Sequence, residues 1–226
     1  LRNETYVLQI DSHSRFLSNW DVTLIEALGR CGSTRAMLTG YPPGYAQGDD
    51  APQLRPSRSS RMRAWRFERH LLLLHSAETG EMQATQHGVT LGRWWSAGFN
   101  FATALVYASV EYPMLPYLFF GEEALLTALY WTHGVDFYEL DHHVVFHLWD
   151  RSYRANMWTV APPTAPHLAL LSEQRVVAAL AGPFCDGPSP RANVTHDDAV
   201  LTFGTVRSLA EFWTFTGVDF CKETIG

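Results

Sequence analysis

Tyr6-Val7-Leu8-Gln9-Ile10-Asp11-Ser12-His13 is a mostly apolar run that ends abruptly in an acid, a hydroxyl and an imidazole. This is the pattern of a buried strand that delivers polar side chains at its exit. Side chains alternate along an extended chain, so Asp11 and His13 are expected on one side and Ser12 on the other. Ser18-Asn19-Trp20-Asp21 then reads as the capping box of a helix that carries Trp20, Leu24, Ala27 and Leu28 on one face and ends near Gly29 or Gly32. The result is a strand-to-helix unit.

Downstream, Tyr41-Pro42-Pro43-Gly44-Tyr45 through about Ser60 is rich in Pro, Gly, Ser and charge and is expected to form a long surface loop. Around it lie Arg55, Arg58, Arg61, Arg63, Arg66 and Arg69, interleaved with Trp65 and Phe67. They read as a solvated basic face, or as local contacts for an acidic acceptor or a diphosphate. The uncharged stretch Trp94 to Val110 is shorter than the roughly 20 residues of a membrane span and reads as core. Gly121-Glu122-Glu123 opens a strong helix former that stops at His133-Gly134. Asp136 to Trp149 reads as one or two strands carrying His142, His143 and His147. Pro162, Pro163 and Pro166 mark a break, after which helices are expected over Ser172 to Leu180 and from Ser208 to Thr216, the second with a capping box and Gly217 beyond it. The expected division is 1–160 and 161–226, the latter a C-terminal helical extension.

The 226 residues suffice for one sizeable core, alone or with an appendage, and the hydrophobic fraction of 46% is that of a globular protein. A net charge of -6 argues against nucleic acid or anionic membrane as a partner held by diffuse charge. Cys31, Cys185 and Cys221 are widely spaced and form no C-x-x-C, so neither a zinc ribbon nor a disulfide framework is expected. A reducing, cytoplasmic compartment is expected instead. The sequons Asn3-Glu4-Thr5 and Asn193-Val194-Thr195 are short enough to arise by chance. The chain opens on Leu1 in what reads as internal sequence, so it is expected to be a piece of a longer protein.

A carboxylate and an imidazole at a strand exit can hold adjacent positions of a divalent cation, and Asp11 and His13 are candidates. The plainer alternative is a capping Asp beside a surface His. His147, amid the apolar residues of Val144 to Trp149, is the best third ligand, with His142 and His143 as competitors and a hydrogen-bonded core histidine as the alternative. Mixed nitrogen and oxygen donors suit Mn²⁺ better than Mg²⁺. Glu122 and Glu123 sit where a helix N-terminus favours carboxylates. They project about 100° apart and cannot share one task. One Asp with two His is also the ligand set of non-haem Fe(II) oxygenases, although the ligand order here is the reverse of the usual one. A further alternative is an inert carbohydrate- or protein-binding module that stacks sugars on Trp94, Trp95 or Trp149.

Taken in order, Leu8-Gln9-Ile10-Asp11-Ser12-His13-Ser14-Arg15-Phe16 with Asn19-Trp20-Asp21, Tyr41 to Tyr45, Ser96-Ala97-Gly98-Phe99, Leu118 to Glu123, Trp131 to Tyr138, Val145 to Trp149 and Gly204 to Leu209 resemble a eukaryotic and bacterial family. That family is typified by the cytosolic hydroxyproline-linked N-acetylglucosaminyltransferase of the SCF ubiquitin-ligase adaptor. The resemblance implies a GT-A-type α/β fold with a mixed sheet flanked by helices, a UDP-sugar donor (UDP-GlcNAc in the typical member), a divalent cation and retaining transfer to a protein hydroxyl. Asp11 and His13 match the family's Asp-x-His metal motif. Glu122 and His147 fall where the more distantly similar mucin-type peptide N-acetylgalactosaminyltransferases carry a helix-start Glu and a later His. Ala97-Gly98 resembles the small-residue loop that lines the donor sugar, and Arg151 is a candidate for its diphosphate. GT-A domains begin with a nucleotide-binding half before the metal motif, so most of that half is expected to be missing from this chain.

Overall fold

The computed structural model describes residues 3–46, 60–78, 88–153, 155, 157–181, 185 and 201–226. In chain order the elements are β1 (Tyr6–Ile10), β2 (Ser14–Phe16), α1 (Trp20–Gly29), β3 (Ala36–Thr39), β4 (Ser60–Glu68), β5 (Leu71–Glu78), β6 (Val89–Leu91) and β7 (Phe99–Thr103). There follow α2 (Ala104–Ala108), α3 (Glu122–Thr132), β8 (Asp136–Leu140), β9 (Val145–His147), α4 (Met157–Val160), α5 (Ala165–Ala181), α6 (Leu209–Thr216), β10 (Val218–Asp219) and β11 (Thr224–Ile225). The molecule is a mixed α/β protein, as expected, with parallel and antiparallel pairings in its main sheet. It divides into two units: Leu1–Arg63 with Ser76–Ser109 and Val135–Ala155, and Ala64–His75 with Val110–Gly134 and Asn156–Gly226.

The first unit is built on a sheet of order β1-β7-β3-β8-β6. β7 is antiparallel to both β1 and β3, and β3 is parallel to β8, so β1, β3 and β8 run the same way. β3 is buried along its whole length and β7 nearly so, which explains their unbroken apolar reading. Leu24 and Ala27 of α1 pack with Leu38, Phe99, Phe101, Leu140 and Val145, with Trp20 and Leu28 against the same cluster. The helix face anticipated from the sequence is therefore the buried one. Its start differs from expectation, because Asn19 lies in the left-handed region (φ 60) and makes no side-chain cap bond. Of the run Trp94 to Val110 expected as core, Trp94 to Ala102 is core, with Trp94, Trp95, Ser96 and Asn100 all at 1% exposure or less, whereas α2 beyond it is only partly buried and Leu105 is 83% exposed.

In the second unit α3 is buried from Ala124 to Thr132, all round its axis, because α5 and α6 both pack on it. Gly134 takes the left-handed conformation that ends α3 (φ 85). The expected capping box of α6 is present, Ser208 accepting from the Glu211 N–H while Glu211 accepts from the Ser208 N–H, and Gly217 closes the helix. The helices expected after residue 161 thus exist as α5 and α6, and both pack on α3. Cys185 and Cys221 are joined as a disulfide, against the expectation of none. The sequence spacing gave no hint of the pair because its partners are 36 residues apart and meet only when the chain folds back after α6.

β4 and β5 form a hairpin within the arginine-rich stretch that read as a basic face. Charge hides the strand pattern there, since Arg61, Arg63 and Arg66 occupy positions where apolar residues would mark a buried strand. Arg55, Arg58 and the sequon at Asn193 lie outside the described residues.

Candidate active site

Registers Ile10 with Phe99, Thr39 with Asn100 and Leu38 with Tyr138 bring the carboxyl ends of β1, β3 and β8 to the same edge as the start of β7. Asp11 leaves β1 at this edge and its N–H donates to the Gly98 carbonyl at 3.2 Å, while the Gln9 side-chain amide donates to the Ala97 carbonyl at 3.3 Å. The Ser96–Gly98 turn is held from beneath. The Ser96 N–H donates to Thr39 Oγ1 at 2.9 Å, the Gly98 N–H donates to Ser96 Oγ at 3.1 Å, and the buried Asn100 amide donates to the Ser96 carbonyl at 2.6 Å. A Cβ on Gly98 would stand 3.4 Å from Asp11 Oδ2, so a larger residue would fill the space beside the carboxylate. The structure thus brings the Asp-x-His stretch and Ala97-Gly98 together.

His147 arrives from β9, whose pairing with β2 sets Ser14 opposite His147. Its Nε2 stands 3.7 Å from Asp11 Oδ2, with the imidazole 2% exposed and the carboxylate 42%. Burial holds the His147 pKa below the usual value, more than Asp11 raises it, and the Arg151 and His13 charges lower it further. The ring is therefore neutral near neutral pH, which is the state a metal ligand needs. Its Nδ1 is buried with no hydrogen-bond partner among the described residues.

Of the surface loop expected from Tyr41 to about Ser60, residues 47–59 lie outside the described residues, and Tyr41 to Tyr45 is not free surface. His147 N–H donates to the Pro43 carbonyl at 3.0 Å and Tyr45 N–H to the His147 carbonyl at 3.3 Å, so Gly44 makes a single parallel bridge to His147 of β9. Trp149 closes the arrangement: its indole N–H donates to the Pro42 carbonyl at 3.1 Å and its ring meets His147 edge-on at 4.5 Å between centroids. A Cβ on Gly44 would lie 3.1 Å from the indole, so glycine allows that close approach. The Pro-Gly composition that suggested a loop here serves tight packing.

His13 departs from the alternation argument. β1 ends at Ile10 and Ser12-His13 form a turn, with His13 at φ 69. Its carbonyl accepts from the Leu148 N–H at 3.2 Å and from the Tyr45 hydroxyl at 2.9 Å, and its ring packs edge-on to Tyr153. Among the described residues no group of three His, Cys, Asp or Glu side chains is arranged to hold a metal ion. Asp11 and His147 are brought together and fit a divalent cation as a carboxylate and a neutral imidazole; the His13 ring packs on Tyr153 and does not complete a three-ligand group with them. Arg151 is exposed, and its charge acts on His147. His142 and His143, the competing ligands, stay in the β8–β9 connection, where burial, with the His142 charge, pushes the His143 pKa down to about 4.

Glu122 and Glu123 belong to the second unit, in the first turn of α3 behind Gly121 at φ 89. The Tyr112 hydroxyl donates to Glu122 Oε1. Burial, and then the Glu122 carboxylate, push the phenol pKa up, so Tyr112 remains the donor. A cavity of about 520 Å³ in the first unit, lined by Tyr6, Leu28, Cys31 and Thr103, lies at the opposite ends of β1 and β7 from Asp11. Burial pushes the Cys31 thiol up to about 12, so it is unreactive there.

Tyr45 and Tyr153 flank the site without having been singled out, because nothing in local periodicity ties them to His13. An acid, a neutral imidazole and a glycine-lined bend stand at the carboxyl ends of the parallel strands of an open mixed sheet, the edge at which open α/β sheets as a class receive ligands. The family model described as Glycosyltransferase (GlcNAc) matches residues 1–222. The chain belongs to this glycosyltransferase family. No curated protein matches it.

Proposed function

We propose that the protein transfers a sugar, GlcNAc, from a UDP-sugar to a hydroxyl of a protein acceptor (hydroxyproline, Ser or Thr), with retention, within a GT-A-type domain. The observation that carries this reading is the placing of the Asp11 carboxylate against Gly98 with His147 Nε2 at 3.7 Å from it, at the ligand-receiving edge of the sheet. Family membership supports a sugar donor and an acceptor, and it sets aside the Fe(II) oxygenase alternative, as does an open mixed sheet in the first unit.

Asp11 and His147, joined by His13 once its ring turns from Tyr153, would hold a divalent cation, Mn²⁺ by its tolerance of mixed donors. What that ion supplies when bound is Lewis-acid neutralisation of charge on the donor diphosphate. Arg151 assists from the same unit as a charge directed at the diphosphate. Ala97-Gly98 leaves the donor ring free to approach the backbone. As the anomeric C–O bond to phosphate breaks, the acceptor oxygen forms its bond on the same face, and its proton passes to the leaving phosphate oxygen. Glu122, with Glu123 bracing α3, orients sugar or acceptor hydroxyls by charge-assisted hydrogen bonds. Glu122→Gln lowering turnover and Glu123→Gln sparing it would support that order of roles.

The test is incubation of the full protein with Mn²⁺, a panel of UDP-sugars and hydroxyproline, Ser or Thr peptides, read by UDP release and acceptor mass. Transfer that Asp11→Ala abolishes supports the reading, and transfer that survives Asp11→Ala overturns it. A cytoplasmic address belongs to the same proposal through the resemblance, and the Cys185–Cys221 pair provides its check. Disulfides are rare in the cytosol, so thiols found reduced when trapped by alkylation in the intact cell support that address, and an oxidised pair overturns it.

A further inference from the structure

The stretch from Glu111 to Phe120, which leads into α3, carries rings that a lone soluble surface seldom shows together. Tyr112, Met114, Phe119 and Phe120 are 47%, 82%, 48% and 44% exposed, and Trp158 from α4 is 47% exposed. Trp158 meets Tyr117 at 6.5 Å between ring centroids, and Phe119 meets Phe120 edge-on at 5.0 Å. Contiguous exposed aromatics and methionine mark interaction surfaces, because water leaves them readily and they lose little freedom on contact.

The rings are held in place before any partner arrives. The buried Ser172 hydroxyl donates to the Pro116 carbonyl at 2.8 Å, and Leu118 N–H donates to the Leu115 carbonyl at 3.2 Å. Pro113 and Pro116 stiffen the stretch. Tyr117 sits at φ 57, a conformation that a bulky residue takes only when its surroundings impose it. At the end of the stretch Gly121 packs so closely that a Cβ would come within 2.8 Å of Leu71 Cδ2.

Charge says what the surface takes. From Val110 to Gly134 the charged residues are Glu111, Glu122 and Glu123, with no Lys or Arg, the stretch 155–166 around Trp158 carries no charge, and α5, which touches the stretch through Ser172, adds one acid and one cation there, Glu173 and Arg175. Tyr112 stands against the Glu122 carboxylate, and a ring beside a carboxylate attracts a cation twice, by its negative face and by the acid.

We propose that this surface of the second unit docks a peptide segment bearing lysine or arginine among apolar residues, the segment through which an acceptor protein is held. Only the word acceptor rests on the transferase reading; the docking is a property of the surface.

The probe is a fluorescein-labelled peptide in which Lys alternates with Leu and Pro. It is compared by anisotropy with its Glu counterpart, its Ser counterpart and the saccharide chitotriose as competitor. The Lys peptide is expected to bind the full protein, to weaken as salt is raised, and to lose about tenfold in affinity in Trp158→Ala or Phe119→Ala and severalfold in Glu111→Gln. The circular dichroism of these variants should be unchanged, since each removes an exposed side chain. Equal binding of the Glu peptide, no binding of the Lys peptide, or full binding by the variants overturns the proposal. Displacement of the Lys peptide by chitotriose also overturns it, in favour of a saccharide site. Docking without sugar transfer would refute the transferase reading alone, and transfer without docking would refute this proposal alone.

Discussion

Glu139 shows how one buried acid fixes two elements. Its Oε1 accepts the Met62 N–H at 3.0 Å, tying the start of the β4–β5 hairpin to β8, while Oε2 stands 3.5 Å from Arg61. Burial pushes its pKa up to about 7, further than the Met62 bond and the Arg61 and Arg63 charges can pull it down. The folded value lies above the unfolded one, so this group's contribution is fully present below about pH 4.5 and is lost as pH rises through 7. Glu139→Gln should keep the Met62 bond and flatten the fall in stability between those pH values, a difference on the order of 3 kcal/mol by urea titration. An unchanged pH profile would show that Glu139 does not carry the proton. Gly204 makes the other residue-scale case. Its N–H donates to Thr132 Oγ1 at 2.9 Å, and a Cβ there would lie 2.4 Å from the Thr132 carbonyl carbon, which is backbone and cannot swing aside. Gly204→Ala should therefore cost about 3 kcal/mol or more by displacing the chain from the end of α3. A melting temperature within a degree of the parent would refute that.

At the scale of elements, the turn of the β4–β5 hairpin is Arg69-His70, and both residues take positive φ, 49 and 68. Two-residue hairpins of this kind favour Asn-Gly, which enters that region at little cost. Here the ends are held by an ion pair, Arg69 to Glu173 at 3.0 Å, and by a hydrogen bond between His70 Nδ1 and Glu223 Oε1 at 2.6 Å. Such exposed pairs are worth at most about 1 kcal/mol each, against a conformational cost of about 1–2 kcal/mol per residue. Replacing Arg69-His70 with Asn-Gly should raise the melting temperature by a few degrees, and a drop would mean that these contacts outweigh the strain. The same hairpin shows where local reading fails: Gly or Asn would have announced the turn, and arginines at the strand positions concealed it. Elements with strong local signatures were legible, as with β1, α3 with its Gly134 stop, and α6 with its capping box. The start of α1 was legible in position but not in detail, since Asn19 holds the helix start without the side-chain bond its sequence suggests.

For the whole molecule, the Cys185–Cys221 link closes a loop of 36 residues over the α6 end of the second unit. Reduction should lower stability by about 2–4 kcal/mol through the freedom returned to the unfolded chain. Melting with and without reductant measures it, and coincident curves would show that the link contributes nothing. The division into two interleaved units was likewise outside sequence reading, because α3 lies between two stretches of the first unit along the chain yet packs with α5 and α6.

By itself the sequence determined the apolar strand that ends in Asp11, the helices with their stops, the acids at the start of α3 and the block order that marks a glycosyltransferase. These are all properties of short windows, where periodicity, caps and glycines act on near neighbours. Only the tertiary structure decided that Asp11 meets Gly98 and His147, that Gly44 bridges to His147 of β9, and that the His13 ring turns to Tyr153. Those meetings depend on sheet register and on a left-handed turn at His13 held by hydrogen bonds from Leu148 and Tyr45, distant in sequence, and alternation along one strand cannot express either.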